Sequence, residues 1–101
     1  MPARQVELHP EALIEARAAF EWYRERNPAA AAAFLTEVDT AINEISTTPN
    51  RWPGFLHGTR RFLLRRFPFS VVYRVTDAVI QVVAFAHARR RPAYWRDRGS
   101  A

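Results

Sequence analysis

Between Arg4 and His9 the order RQVELH alternates, with Val6 and Leu8 on one side and Gln5 and Glu7 on the other. A period of two predicts a half-buried first strand. Pro10 stops it and, because proline is tolerated in a helix's first turn, can also open the next element. From Glu11 to Arg26 the period changes. Leu13, Ala16, Phe20 and Tyr23 recur at the spacing of one helical face, which predicts an amphipathic helix with Trp22 and Tyr23 in the core at its far end. Asn27-Pro28 reads as a restart, with Asn capping a second helix and Pro at its first position. That helix runs from Pro28 to about Thr47, with an apolar stripe of Phe34, Val38, Ala41, Ile42 and Ile45 and an exposed face of Glu37, Asp39 and Glu44. So short a turn makes the pair an antiparallel hairpin.

Thr48 to Gly58, TPNRWPGFLHG, has no clear periodicity and reads as a loop, with Trp52, Phe55 and Leu56 folding back to close one end of the core. Loops of this length are also often functional. Three strands follow, roughly Arg60–Arg66, Phe69–Thr76 and Val79–His87, separated by Pro68 and by Thr76-Asp77. On strict alternation Phe69, Val71, Tyr73 and Val75 share one face of the second of them, and Ser70, Val72, Arg74 and Thr76 the other. In the third, Ile80, Val82, Ala84 and Ala86 oppose Gln81, Val83, Phe85 and His87. Helices cover the more apolar face. The other is expected to present Ser70, Arg74, Gln81 and His87 in an open groove. Arg89–Ala101 is a polar tail, most clearly so from about residue 96, with a short helical turn around Pro92–Trp95 and with Tyr94-Trp95 against the sheet or the first helix. The predicted fold is a single α+β domain over residues 1–101: strand, helical hairpin, then a three-stranded antiparallel meander in one mostly antiparallel sheet.

Composition supports a globular domain, with 49% hydrophobic residues and 13% aromatics in 101 residues. Charge is unevenly placed. All 15 basic residues are Arg, and ten of them (Arg60, Arg61, Arg65, Arg66, Arg74, Arg89, Arg90, Arg91, Arg96 and Arg98) lie in or just beyond the three strands. Guanidinium forks grip phosphate or carboxylate and stack on rings, so this end is expected to bind something anionic. With no Cys there is no disulfide, thiolate metal site or Cys nucleophile. His9, His57 and His87 have no metal-like spacing, and neither metal nor cofactor is implied. No apolar run approaches the roughly 20 residues of a membrane span, and Met1–Pro10 lacks the apolar core of a signal peptide, so a cytoplasmic location without membrane contact is expected.

The strings RRFLLRRFPFSVVYRV and VIQVVAFAHARRRPAYW, in this order of elements, resemble the RelE/ParE superfamily of type II toxins from Val6 to Trp95. The telling pieces are Trp22-Tyr23, Pro49 to Pro53, Arg60-Arg61, Phe67-Pro68-Phe69, Tyr73-Arg74-Val75, and His87 followed by basic residues. They are more similar to the ParE-like branch. The resemblance implies a toxin wrapped by a cognate antitoxin. It implies inhibition of DNA gyrase, or, in the RelE branch, ribosome-dependent cleavage of mRNA.

Metal-free RNA cleavage needs a proton-transfer group and cations for the developing phosphate charge. His87 is the candidate for the first; Arg60, Arg66 and Arg74 are candidates for the second. Tyr73 is assigned to the core. A basic residue common in RNA-cleaving relatives is replaced by Ser70, and the loop before Arg60 has no carboxylate, so gyrase inhibition ranks first. In either case the target-binding or phosphate-binding set is Arg60, Arg61, Arg65, Arg66, Arg74, Arg89 and Arg90. An antitoxin groove of Val72, Arg74, Val83 and Phe85 suits a segment that is both acidic and apolar. Blander roles stay open: Arg65 and Arg66 as guards of an edge strand, Arg74 as partner of Glu37, and His87 as an ordinary surface histidine. Bare sheet edges also leave a homo-oligomer open.

Overall fold

The structure, a computed structural model, describes residues 4–99; residues 1–3, and residues 100–101 of the predicted tail, lie outside the described residues. Its elements are β1 (Val6–Leu8), α1 (Pro10–Arg26), α2 (Pro28–Thr47), β2 (Arg60–Leu63), β3 (Phe69–Val75) and β4 (Ile80–His87), with a 3₁₀ turn at Leu56–Gly58. The sheet order is β1-β4-β3-β2. β2–β3 and β3–β4 are antiparallel; β1 joins β4 in parallel, with Val6 opposite Ile80 and Leu8 opposite Val82. The sheet is thus mixed but mostly antiparallel, and the predicted α+β order holds.

The helix boundaries follow from local chemistry. His9 ends the strand by capping α1, its Nδ1 accepting from the Glu11 N–H at 3.1 Å, with Pro10 at the first helical position. Asn27 serves both helices. Its N–H donates to the Tyr23 carbonyl, and its Oδ1 accepts from the N–H groups of Ala29 and Ala30. One residue therefore satisfies orphan groups at two helix ends and makes the tight hairpin possible.

The helices lie on one face of the sheet, around Ala12, Ala19, Phe34, Ala41, Ile45, Val71, Tyr73, Ile80, Val82 and Phe85. Of the predicted α1 stripe, Ala16, Phe20 and Tyr23 pack on this core, but Leu13 is exposed. The buried line has turned toward Ala12 and Ala19, whose small side chains let α1 approach the sheet closely. Trp22, predicted to be core, is instead 53% exposed, with the Arg26 guanidinium 3.9 Å over its ring. Trp52 closes the core against Phe62, as expected; Leu56 stays exposed, because it lies in the 3₁₀ turn. That turn is tight: His57 and Gly58 both have positive φ, 56° and 73°.

Strict alternation fails at one point. Val72 pairs with Ala84 while Tyr73 pairs with Val82, so Val83 is an extra residue in β4. A bulge shifts every later side chain to the other face. Phe85 and His87, expected in the open groove, turn toward the helices opposite Val71 and Phe69, while Ala84 and Ala86 take the second face.

That second face is not an open groove. Val72, Val83 and Ala84 are buried beneath Trp95, with Phe55, Ala86 and Tyr94 packed around them. In the tail, the short helical turn expected around Pro92–Trp95 takes the form of consecutive turns, with bonds from the N–H of Tyr94 to the Arg91 carbonyl and from that of Arg96 to the Ala93 carbonyl. The end of the tail is pinned rather than free: Gln81 Nε2 donates to the Gly99 carbonyl, and Arg98 pairs with Glu15 of α1 at 2.9 Å. Glu15 also accepts from the Phe85 N–H and the Tyr94 hydroxyl, while Arg98 donates to the Val83 carbonyl. The backbone groups that β4 leaves unpaired beyond the end of β1 are thereby satisfied.

Removing Glu15 strands a guanidinium, a phenol and an N–H in a site where both charged side chains are about 15% exposed. Glu15→Ala is expected to lower the unfolding free energy by about 3 kcal/mol, the lower end for breaking a buried pair. Asn27→Ala should cost about 1 kcal/mol. Urea unfolding of both variants checks the order; equal losses would remove the Glu15 contact from its central place.

Candidate functional site

The arginines of the meander divide by what holds them. Arg60 is on the helix face and donates to the carbonyls of Asn50 and Trp52, fastening the loop before β2. Arg66 pairs with Glu37 at 2.9 Å, and the same carboxylate accepts from the N–H groups of Arg65 and Arg66. Glu37 is therefore not simply part of an exposed face: it clamps the chain between β2 and β3, which is why β2 ends at Leu63 and not at Arg66. Arg74 is not Glu37's partner. It donates to Gln81 Oε1 and to the Arg98 carbonyl, beneath the tail.

The predicted nuclease set is accordingly scattered. Arg60 and Arg66 sit on the helix side and are engaged there, Arg74 is on the opposite face, and the bulge has turned His87 away from it. His87 stacks edge-on against Phe69, ring centroids 5.0 Å apart, and its Nδ1 accepts from the Arg89 N–H at 3.0 Å. Among the described residues it forms no ion pair with a carboxylate. The predicted antitoxin groove is dispersed as well: Val72 and Val83 lie under Trp95, and Phe85 is in the main core. Tyr73 is in the core as expected, its hydroxyl donating to the Pro49 carbonyl at 2.6 Å.

Two recesses remain at the cationic end of the sheet, one on each side. On the helix side, a groove of about 780 Å³ lies between α1 and the end of β4, floored by Ala19, Tyr23, Phe69 and Phe85 and edged by Trp22. His87, Arg89 and Arg90 form its basic rim. On the tail side, a cleft of about 120 Å³ is lined by Arg61, Ser70, His87, Arg90 and Arg91, with Phe55, Tyr94 and Trp95 as its aromatic walls. A third recess, about 830 Å³, opens between the helical hairpin and β1 and is lined by apolar groups such as Leu13, Leu35, Val38 and Ile42. Of the predicted arginines, Arg61 and Arg90 alone line the tail-side cleft; Arg91, Phe55 and Tyr94 join them unforeseen. The one available signal was the large aromatic in a Pro/Gly-rich loop. Among the described residues no three His, Cys, Asp or Glu side chains converge to hold a metal, and no helix is long and apolar enough to cross a membrane.

These features define a class: a small α+β domain with a helical hairpin on one sheet face, a tail strapped over the other, and cationic recesses suited to binding. The sequence matches the ParE toxin of type II toxin-antitoxin system, parDE, over residues 6–92, and the chain belongs to that family. Among solved structures it is similar in fold to a chain described as "Chromosomal ParDE TA system from P. aeruginosa", at 20% identity and a TM-score of 0.74, covering 86% of this chain and 98% of that one. Among curated proteins it has no match.

The titrating groups give the fold a defined alkaline and acid response. Burial raises Tyr23, Tyr73 and Tyr94 above the ordinary 10.0; Tyr73 reaches about 12 although Arg60 partly opposes the shift, and the Glu15 hydrogen bond and charge push Tyr94 further. A folded pKa above the unfolded one means that the contribution is complete below pH 10 and lost as the pH rises toward the folded values. Glu37 behaves oppositely. Burial acts to raise it, but the hydrogen bonds from Arg66 and from the backbone of Arg65 and Arg66 outweigh this and leave it lowered, so its contribution fades as acid protonates it. Absorbance at alkaline pH should therefore show little phenolate near pH 10 and then a rise coincident with loss of near-ultraviolet dichroism. A smooth titration centred at pH 10 in the folded protein would contradict the buried tyrosine placements.

Proposed function

We propose that this chain is a toxin that inhibits DNA gyrase by binding it, with no chemistry of its own, and that a cognate antitoxin neutralises it. The observation that carries this reading is the ParE family match, which spans residues 6–92 and so includes every strand and both helices. The dispersal of His87, Arg60, Arg66 and Arg74 supports binding over catalysis: proton transfer and phosphate neutralisation require those groups around one reacting centre. The alternative, ribosome-dependent mRNA cleavage, lacks that centre.

For the antitoxin, the helix-side groove replaces the sheet face predicted from alternation. Its apolar floor and its rim of His87, Arg89 and Arg90 complement a segment bearing apolar anchors on one side and carboxylates on the other. Trp22 is the natural hot spot, being large, exposed and at the groove's edge.

Purified protein is expected to inhibit gyrase supercoiling, and His87→Ala should leave that inhibition unchanged, with mRNA intact in primer-extension assays after induction. Uninhibited gyrase refutes the target; cleaved message lost in His87→Ala establishes the nuclease instead. Trp22→Glu should weaken binding of the proposed cognate antitoxin about tenfold or more while leaving thermal stability unchanged, the loss expected at a central anchor.

A further inference from the structure

Arg60, Arg66 and Arg74 are consumed by internal acceptors, but the tail-side cleft holds arginines of a different kind. The Arg61 guanidinium lies 4.2 Å from the centroid of the Phe55 ring, and that of Arg90 lies 3.8 Å from the centroid of Tyr94. Both rings are themselves fixed, Phe55 packing with Trp95 in the second core cluster and Tyr94 donating to Glu15 at 2.6 Å. Stacking orients a guanidinium without using its in-plane N–H donors. Neither Arg61 nor Arg90 forms an ion pair among the described residues, and no Asp or Glu lines the cleft. Arg91 adds a third positive charge, and Ser70, only 9% exposed, lines the same wall.

We infer that this cleft is a phosphate-binding site that takes one phosphodiester of a nucleic-acid strand. Two forks converging from separate rings suit the tetrahedrally disposed non-bridging oxygens of a phosphate, and about 120 Å³ accommodates one such group but not a folded partner segment. The exposed Arg89 and Arg96, which form no ion pair among the described residues, extend the positive surface beyond the cleft, as a polyanion requires and a single carboxylate does not. The site does not depend on gyrase being the target, and it borders the helix-side groove, with which it shares His87 and Arg90 but whose apolar floor favours a protein segment.

The test is a nuclear magnetic resonance titration of the full chain at low salt with inorganic phosphate, followed through the arginine Nε–Hε signals. Anisotropy then measures binding of a fluorescein-labelled oligothymidylate. Phosphate should shift Arg61 and Arg90 and leave Arg65 in place. Arg61→Gln with Arg90→Gln should weaken oligonucleotide binding about tenfold and flatten the salt dependence by about 0.7 in log–log slope, the share of one single-strand phosphate. Arg17→Gln with Arg65→Gln removes the same charge outside the cleft and should cost much less. Arg61→Lys with Arg90→Lys preserves charge but not the stacked forks, and should weaken oligonucleotide binding nearly as much as the glutamine pair. Equal losses in the two glutamine pairs would reduce the effect to diffuse charge and overturn the site. So would undisturbed Arg61 and Arg90 signals, or oligoglutamate binding there more tightly than the oligonucleotide, which would assign the cleft to an acidic protein.

Discussion

The Glu15 carboxylate is the contact on which the two sides of the molecule depend. It projects from α1 past the point where β1 has ended and accepts from the β4 backbone at Phe85, the Tyr94 phenol and the Arg98 guanidinium. One side chain thus ties the helical layer, the central strand and the tail together. Burial alone would lower the Arg98 pKa, yet the Glu15 hydrogen bond and charge outweigh it and leave it raised. Both oxygens of the Glu15 carboxylate are engaged, and desolvation offsets much of the attraction; the importance of the pair is that the same geometry satisfies strand groups that no neighbouring strand reaches.

The bulge at Val83 gives this contact its functional meaning. Without it, Phe85 and His87 would lie on the tail face, the one that carries Arg74, and the helix-side groove would lose both its floor at Phe85 and its His87 rim. With it, Phe85 enters the main core, His87 is turned toward α1, and the small side chains of Ala84 and Ala86 leave space for Trp95. The cationic end is divided into a broad apolar groove and a narrow polar cleft, with His87 and Arg90 at the boundary of both. Surfaces so different in shape and polarity can recognise different kinds of partner in a domain of 101 residues.

Arginine performs three distinct tasks here. Arg60 and Arg74 donate to uncharged oxygens and hold loop and tail, Arg66 and Arg98 neutralise carboxylates, and Arg61 and Arg90 lie on aromatic rings with their donors unspent. The same residue type is structural in the first two groups and available to a ligand in the third. Clustering in the sequence does not distinguish them, since Arg60 and Arg61 are adjacent and point to opposite faces.

Local patterning was enough for the element order, the Asn27-Pro28 hairpin, the placement of Tyr73 in the core and the concentration of cations at one end. Each depends on nearest-neighbour periodicity, capping or composition, which act over a few residues. The parallel pairing of β1 with β4, the exposure of Trp22, the burial of Val72 and Val83 under the tail and the turn of His87 were decided by tertiary structure. A single extra residue in β4 reversed the faces predicted from period two, and a tail that reads as polar became part of the fold because Glu15, distant in sequence, supplied the partner for Arg98. Whether a buried charge or a covered face is stable depends on what lies across from it in space, and periodicity along the chain carries no information about that.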